Sequence, residues 1–334
     1  MTKRRATAAG DAPAGAPGAS DGARLPSATV RFPSDFVARL GAFAVQLSAA
    51  REREEVGRRR TLQGEGQEFV GHRPYRPGED LRRLDWDLLA RVDRPFVLVH
   101  RSEAREEWAI AIDTSASMGV GRPGKLQSAA ESAAGAVAVG LRLGARIALV
   151  ALGPNGNVRR IDVHRPADLV RALDFLESLR SSGEVGLEAF LGGPERRPVP
   201  PFAPGGGASA AGRVLVFGDL LDVEVASVLR LVGSRRRIHI GQVLAPLEWD
   251  PERSDPGRGG EATDATSVGT LWVDAETGQR RRSGADGGRA LDAYAGRLER
   301  FVGRWSSLAA GHAVTHRAWS SEEPFEAHLP DLLR

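Results

Sequence analysis

Short apolar runs alternate with helical segments through the middle of the chain, and this alternation constrains the fold more than any other feature. Four runs have the length and the Val, Ile and Leu content of buried strands: residues 109–112, 146–152, 213–217 and 237–244. Three segments between them are predicted to be helices: residues 124–143, 166–179 and 222–232. Because strands that alternate with helices form mainly parallel sheets with helices on both faces, the sequence predicts a doubly wound α/β domain over 95–320.

The segments on either side of this domain differ from it in composition. Residues 1–28 are rich in Ala, Gly, Pro and Ser, so they cannot bury much apolar surface and are expected to be a disordered tail. Within 29–94, apolar residues recur at helical spacing over 34–52, which predicts an N-terminal helix. Residues 321–334 are predicted to form a C-terminal helix.

Turn signals predict further local structure. The strand predicted at 96–101 is separated from 109–112 by a polar stretch, so the two are expected to form a hairpin. A Pro-Asn-Gly-Asn turn at 154–157 leads to another strand at 158–163. The remaining predictions are a short helix at 185–191, a loop at 192–212, irregular structure at 246–266, a hairpin that begins at 271–274, a helix at 287–308 and a strand at 313–318.

The composition excludes several classes of function. The 334 residues include no cysteine, which excludes disulfides, thiolate metal sites and cysteine catalysis. The formal net charge is only +3, so the pI of 9.9 does not by itself indicate nucleic-acid binding. No apolar run is long enough to span a bilayer. We therefore expect a cytoplasmic protein that has no membrane span and binds no nucleic acid.

Oxygen-bearing side chains follow the strand at 109–112. Asp113, Ser115 and Ser117 occupy alternate positions where the chain turns, so one carboxylate and two hydroxyls can converge on one point. Hard divalent cations such as Mg²⁺ and Mn²⁺ take oxygen ligands of this kind. The alternative is that these residues cap the next helix and satisfy the turn, since Ser, Thr and Asp also do this well.

A second strand also ends in a carboxylate. The run 213–217 is followed by Gly218 and Asp219. In a doubly wound sheet the carboxyl ends of two such strands can meet at the topological switch point, where these folds bind ligands. We therefore expect Asp219 to share a cation with Asp113, Ser115 and Ser117, and the alternative is two unrelated loop aspartates.

A glycine-rich stretch must be weighed as a phosphate-binding loop. Residues 119–125 fit GxGxxG and also fit the Walker A pattern up to its last position, where Leu126 replaces the required Ser or Thr. That hydroxyl ligates Mg²⁺ in phosphate-binding loops, so its loss removes one of the Mg²⁺ ligands that the motif requires. A degenerate nucleotide hydrolase that uses Lys125 and Asp219 is therefore an alternative function.

The segment 64–91 is dense in Arg, Asp, Glu and aromatic residues but shows little periodicity. Side chains such as Arg73, Tyr75 and Asp85 can form ion pairs and hydrogen bonds with one another. The expected structure is a loop held to the domain by ion pairs, and a recognition surface is the alternative.

These residues together resemble the DUF58 family. The resemblance is carried by GEGQEF at 64–69, RPYRPGEDLR at 73–82, LDW at 84–86, AR at 90–91 and DTSASM at 113–118. It implies a von Willebrand factor A-like domain with a metal-ion-dependent adhesion site, in which Asp113, Ser115, Ser117 and Asp219 would be metal ligands. Such a site normally also takes a threonine, whereas the corresponding loop here reads SSGEVG at 181–186.

The resemblance also implies a function. Genes of the family that this chain resembles often lie beside those of MoxR-type AAA+ ATPases, and the resemblance implies that such pairs act in chaperone-like or maturation roles. The expected function is a non-enzymatic interaction module, in which a bound Mg²⁺ or Mn²⁺ keeps one coordination position open for a carboxylate of the partner. A scaffold that retains a vestigial metal site is a further alternative.

Overall fold

The secondary structure is taken from a computed structural model, which describes residues 27–56, 63–64, 68–76, 84–101, 106–185, 212–221, 223, 237–250, 271–273, 279–282, 287–311 and 314–333. The strands are β1 Gln63–Gly64, β2 Glu68–Pro74, β3 Phe96–Arg101, β4 Glu107–Asp113, β5 Arg146–Leu152, β6 Val158–Val163, β7 Arg213–Gly218, β8 Arg237–Leu244, β9 Leu271–Val273, β10 Arg280–Arg282 and β11 Val314–Ser320. The helices are α1 Phe36–Val56, α2 Trp86–Val92, α3 Lys125–Arg142, α4 Leu169–Glu177, α5 Pro246–Trp249, α6 Gly287–Gly311 and α7 Phe325–Leu333.

A six-stranded sheet in the order β11-β8-β7-β4-β5-β6 forms the centre of the fold. The five strands from β11 to β5 are parallel to one another, and β6 joins the edge antiparallel to β5 after a short turn. The prediction of a mixed α/β fold with a mainly parallel sheet is therefore confirmed.

The two faces of the sheet are buried by different partners. Alternate residues of the central strands, such as Ile110 and Phe217, face a core that also contains residues of α1, α3, α4 and α7. The residues between them, such as Ala111 and Val216, share a second core with Trp305 of α6. This alternation is what a strand buried on both faces requires.

Helix α3 packs on the sheet through small side chains. Ala129, Ala130, Ala133 and Ala134 are all fully buried. A Cβ atom added at Gly135 would lie 2.6 Å from the Leu329 side chain, so α7 also packs directly on the α3 backbone. The small residues let α3 fit between the sheet and the outer helices.

The predicted hairpin between 96–101 and 109–112 is wrong. Strand β3 pairs with β1 and β2 in a separate antiparallel sheet, whereas β4 pairs with β5 and β7. Because parallel neighbours occupy both edges of β4, it has no free edge on which β3 could pair. The segment 64–91 also contains more regular structure than the predicted loop, namely β2 and α2.

Most other predicted elements agree with the structure within a few residues. The helices predicted at 34–52, 124–143 and 287–308 correspond to α1, α3 and α6, and the hairpin after 271 is the antiparallel pair β9–β10. The helix predicted at 166–179 begins with a 3₁₀ turn, Pro166–Asp168, and continues as α4. In the stretch predicted to be irregular, residues 246–249 form the short helix α5.

Some predictions fall outside the described residues. These are the tail at 1–26, the helix at 222–232 apart from residue 223, residues 186–191 of the short helix, the loop at 192–211 and residues 251–266. At the end of the predicted tail, the Ser27 hydroxyl donates to the Ser181 carbonyl at 2.8 Å. No helix in the described part of the chain combines the length and hydropathy needed to cross a bilayer.

A neutral histidine is built into the core between α3, α7 and β11. His328 is fully buried, its Nε2 lies 2.9 Å from the Ser132 hydroxyl, and its ring stacks on Trp319 with 3.9 Å between centroids. Burial lowers the pKa of His328 from 6.5 to about 3, and Arg317 adds to this effect. Although Nδ1 lies 3.6 Å from Glu323, the ring is neutral near neutral pH and forms no ion pair there.

Acidification is expected to destabilise the fold, because the unfolded chain binds protons that the folded chain excludes. An unfolded histidine titrates near pH 6.5, whereas His328 in the fold titrates at about 3, so stability falls as the pH drops between these values. The expected slope is up to about 1.4 kcal/mol per pH unit for such a group. Burial also lowers the pKa of His316 to about 4, which adds to the slope above that pH.

Urea unfolding at several pH values between about 7.5 and 5 measures this slope. The variant His328→Phe is expected to show a smaller slope than the wild type, whereas substitution of the exposed His164 by glutamine should leave it unchanged. Equal slopes in the wild type and His328→Phe would show that His328 is not responsible.

Candidate functional site

The two predicted strand ends lie side by side. Strands β4 and β7 are parallel neighbours, with Ile112 paired to Phe217. Asp113, the last residue of β4, and Asp219, directly after β7, therefore lie together at the carboxyl ends of the strands. From β4 the chain continues to β5 and β6 on one side, and then returns to β7 and β8 on the other. The two aspartates therefore lie at the topological switch point, where open α/β sheets bind their ligands.

The Asp113 carboxylate is buried between the carboxyl ends of the strands and the loop that follows β4. It is 1% exposed, and its Oδ1 accepts a hydrogen bond of 2.8 Å from the Ser115 amide. A Cβ atom added at Gly218 would lie 3.3 Å from Oδ2 and 3.0 Å from the Asp113 Cβ. Glycine at position 218 thus leaves the space that this carboxylate occupies.

The hydroxyls of Ser115 and Ser117 point at each other, with 2.9 Å between their oxygens. Ser115 is 2% exposed, and Ser117 is partly exposed. The turn-satisfying part of the alternative is seen at Asp113, whose Oδ1 accepts from the Ser115 amide, whereas α3 is capped by Gly124 and no side-chain hydrogen bond caps the 3₁₀ turn Ala116–Gly119. The turn therefore positions the hydroxyls of Ser115 and Ser117, and these hydroxyls do not cap it.

The loop in which a threonine was expected lies against this turn. The Ser182 amide donates to the Thr114 carbonyl at 2.9 Å, and the Ala116 amide donates to the Gly183 carbonyl at 2.8 Å. The Ser181 hydroxyl accepts from the Ala28 amide, so it is held away in the direction of the N-terminal segment. Ser182 and Glu184, the two residues of this loop that are candidates to replace the threonine, are both exposed.

Asp219 is paired with a buried ammonium group. The Lys125 Nζ donates to Asp219 Oδ2 at 2.8 Å and to Glu248 Oε1 at 2.7 Å, and the lysine side chain is fully buried. Burial alone lowers the pKa of Lys125, but the two carboxylates outweigh it and hold the pKa above its usual value. The lysine is therefore charged, and it compensates carboxylates of the site itself.

Glu248 is the site residue that the sequence reasoning missed. It lies on α5, directly after β8, and its Oε2 accepts a hydrogen bond of 2.8 Å from the Ala245 amide. Glu248 is thus a third carboxylate beyond the carboxyl end of a parallel strand. The same rule that singled out Asp113 and Asp219 would have found it if it had been applied to the strand at 237–244.

Further groups fix Asp219 and enclose the ion pair. The Asp219 backbone carbonyl accepts from the Gln242 side chain of β8 at 3.0 Å, and its Oδ1 accepts from the Leu221 amide at 3.3 Å. Burial raises the pKa of Tyr294 on α6, and the charge of Glu248 raises it further. The ion pair is therefore held by several elements of the fold.

The donor set at Asp113 suits a small divalent cation. Two ligands at right angles on Mg²⁺ lie about 3 Å apart, which matches the separation of the Ser115 and Ser117 oxygens. Among the described residues, no three His, Asp or Glu side chains gather in a way that could hold a metal. A cation here would thus depend on hydroxyls as well as carboxylates, as Asp113, Ser115 and Ser117 provide.

Comparison with known proteins bears on the family. Residues 71–184 match a family described as "Protein of unknown function DUF58". The matched range includes Asp113, both serines, Lys125 and the loop at 181–184. The predicted resemblance to DUF58 is confirmed over this range, whereas the von Willebrand factor A-like assignment stays a prediction.

Two solved structures show weak similarity. The conserved hypothetical protein BatB from Bacteroides thetaiotaomicron is 18% identical over 53% of this chain and 76% of its own, with a TM-score of 0.31. An aerotolerance-related membrane protein from Bacteroides fragilis NCTC 9343, with multiple mutations to serines, is 17% identical over 68% of this chain and 98% of its own, with a TM-score of 0.33. With TM-scores this low, neither structure bears on the function of this chain. No curated protein matches it.

Proposed function

We propose that this chain is a non-enzymatic protein-interaction module that binds its partner through a divalent cation. Asp113, Ser115 and Ser117 would hold Mg²⁺ or Mn²⁺ at the switch point of the sheet, with Asp219 beside them. The bound ion would offer an open coordination position to a carboxylate of the partner protein. The observation that carries the proposal is the pair of serine oxygens 2.9 Å apart next to a buried carboxylate.

Exposed apolar side chains near the site support a role in protein binding. Leu221 follows Asp219 by two residues and is 46% exposed, and Leu247 and Trp249, which flank Glu248, are 43% and 49% exposed. Large apolar side chains exposed around a polar centre are typical of protein-binding surfaces. We propose that the partner is a MoxR-type AAA+ ATPase, as the resemblance to DUF58 implies, and that the pair acts in a chaperone-like or maturation role.

The geometry favours this function over nucleotide hydrolysis. In a phosphate-binding loop the lysine must reach the phosphates, but the Lys125 ammonium is buried and bonded to two carboxylates. A Cβ atom added at Gly119 would lie 2.6 Å from the Ser181 hydroxyl, so that part of the loop is already packed against protein. We therefore expect no ATP binding by this chain alone.

Metal binding is expected to depend on Asp113. Calorimetric titration of the EDTA-treated full chain with MnCl₂ should show binding by the wild type and none by Asp113→Ala, because the variant loses the carboxylate that the proposed site places on the metal. Substitution of Asp162 by alanine, at the exposed edge strand β6, serves as the matched control and should bind like the wild type.

The outcomes separate the candidate functions. Binding that survives Asp113→Ala would place the ion elsewhere and contradict the proposed site. Absence of binding in every protein, with the ATPase present, would favour a scaffold with a vestigial site. For the partner, a AAA+ ATPase retained on immobilised wild-type chain should be released by EDTA and should not be retained by Asp113→Ala.

A further inference from the structure

The ammonium of Lys125 is bonded to Asp219, one of the residues that would bind the proposed metal ion. We infer that Lys125 is a built-in counter-ion that competes with a divalent cation for Asp219 and thereby keeps the metal site weak. The inference rests on the proposed function, because it concerns the same four ligand residues. It goes beyond that function by assigning Asp219 to a cation that the chain itself provides.

The contacts of Lys125 show that its buried ammonium is paired with carboxylates from two elements of the fold. Its three N–H groups lie in a fully buried position, and two of them are accounted for by Asp219 at 2.8 Å and Glu248 at 2.7 Å. These partners come from the ends of β7 and β8, while Lys125 itself is the first residue of α3. A buried ammonium is tolerated only when it is paired and hydrogen-bonded in this way.

Asp219 is engaged through both carboxylate oxygens. Oδ2 accepts from the ammonium of Lys125, and Oδ1 accepts from the Leu221 amide at 3.3 Å. A metal that used Asp219 as a ligand would have to share Oδ2 with the ammonium or displace it. The ammonium and a metal ion on the same carboxylate would be like charges close to each other, and such charges repel strongly where water is excluded. The ammonium therefore opposes the divalent cation directly.

Asp113 is not neutralised by this lysine. Its Oδ1 accepts from the Ser115 amide, which is a neutral donor, and Ser115 and Ser117 supply neutral hydroxyls. At Asp219, by contrast, the chain itself already supplies a cation, Lys125. The carboxylates of Asp219 and Glu248 are thereby compensated without a metal.

Removal of the lysine charge is expected to strengthen metal binding. Lys125→Met keeps the unbranched apolar stem, and Lys125→Gln keeps a hydrogen-bond donor towards Asp219. Titration of EDTA-treated full chain with MnCl₂ should give a Kd lower than that of the wild type on the order of tenfold or more for either variant. Thermal unfolding should also show a larger rise in Tm on addition of Mn²⁺ than in the wild type.

A matched control tests whether a change in overall charge explains the result. Arg146→Met also removes one positive charge, but it lies exposed at the opposite end of the sheet, at the start of β5. This variant should bind Mn²⁺ with the affinity of the wild type. An equal gain in Arg146→Met and in the lysine variants would overturn the inference, because a long-range charge effect would then be enough.

The remaining outcomes distinguish this inference from the proposed function. If the wild type binds Mn²⁺ and neither lysine variant binds it more tightly, the inference fails and the proposed metal site stands. If a lysine variant binds and the wild type does not, the inference stands and the proposed metal-dependent function fails. If no protein binds, both fail. The two lysine variants are independent, so a variant that does not fold leaves the other to decide.

Discussion

Replacement of Asp219 by alanine is expected to lower the free energy of unfolding by about 3–5 kcal/mol. The reason is the fully buried ammonium of Lys125, which among the described residues would retain only Glu248 as a charged partner. A buried ion pair contributes little net stability when it is intact, but removal of one partner leaves an uncompensated charge. Urea unfolding in EDTA measures the effect without any contribution from a bound metal.

A surface ion pair provides the contrast. Asp162 pairs with Arg160 on β6, where both side chains are largely exposed, so Asp162→Ala should cost less than about 1 kcal/mol. Replacement of both buried partners, Lys125→Met with Asp219→Leu, should restore much of the stability lost in Asp219→Ala, because no unpaired ammonium remains. Equal losses in Asp219→Ala and Asp162→Ala would refute the buried charge pair as a structural element.

Truncation of Trp319 to alanine is expected to cost about 3–5 kcal/mol, which is the range for large aromatic residues in a packed core. Trp319 is 1% exposed and lies between the sheet and α7. Its ring stacks on His328, meets Phe217 edge-on at 6.3 Å between centroids, and donates through Nε1 to the Ser128 hydroxyl at 3.0 Å. The variant would leave a cavity and an unpaired hydroxyl.

The same chain provides the control for this prediction. Trp249 is 49% exposed, so Trp249→Ala removes an identical side chain without opening a cavity and should change stability by less than about 1 kcal/mol. Denaturant unfolding followed by far-UV circular dichroism compares the two variants without relying on tryptophan fluorescence. A loss in Trp319→Ala no larger than that in Trp249→Ala would contradict the packing described for β11.

The part of the site that could be predicted is the part encoded locally. Asp113, Ser115 and Ser117 directly follow an apolar run, and Asp219 follows another, so their position at strand ends is readable from neighbouring residues. That the two strands would be adjacent followed from the rule for doubly wound sheets, and the register of β4 and β7 shows them as neighbours.

The ion pair of Lys125 could not be predicted in the same way. Lys125 and Glu248 are separated by 123 residues, and lysine is usually exposed, so no local pattern marks their contact. The glycines before Lys125 instead suggested that this lysine belongs to a phosphate-binding loop. What decides the environment of this lysine is the position of α3 above the ends of β7 and β8, which is a property of the tertiary structure.

The wrong hairpin has a similar cause. Strands β3 and β4 are close in sequence, and short connections favour antiparallel pairing. The preference is overruled because β4 is buried at the centre of the sheet, where β5 and β7 pair with both of its edges. Which strand becomes central depends on the competition among all strands, and a single segment carries no information about that competition.

The edges of the large sheet bear on how this chain avoids unwanted self-assembly. In the described part of the chain, β6 and β11 are its outermost strands. Strand β6 exposes Arg159, Arg160 and Asp162, and β11 exposes Arg317. An incoming strand from another molecule would have to desolvate these charges to extend the ladder. The apolar strands that carry the site are thus shielded from amyloid-like stacking by the charged strands at either side.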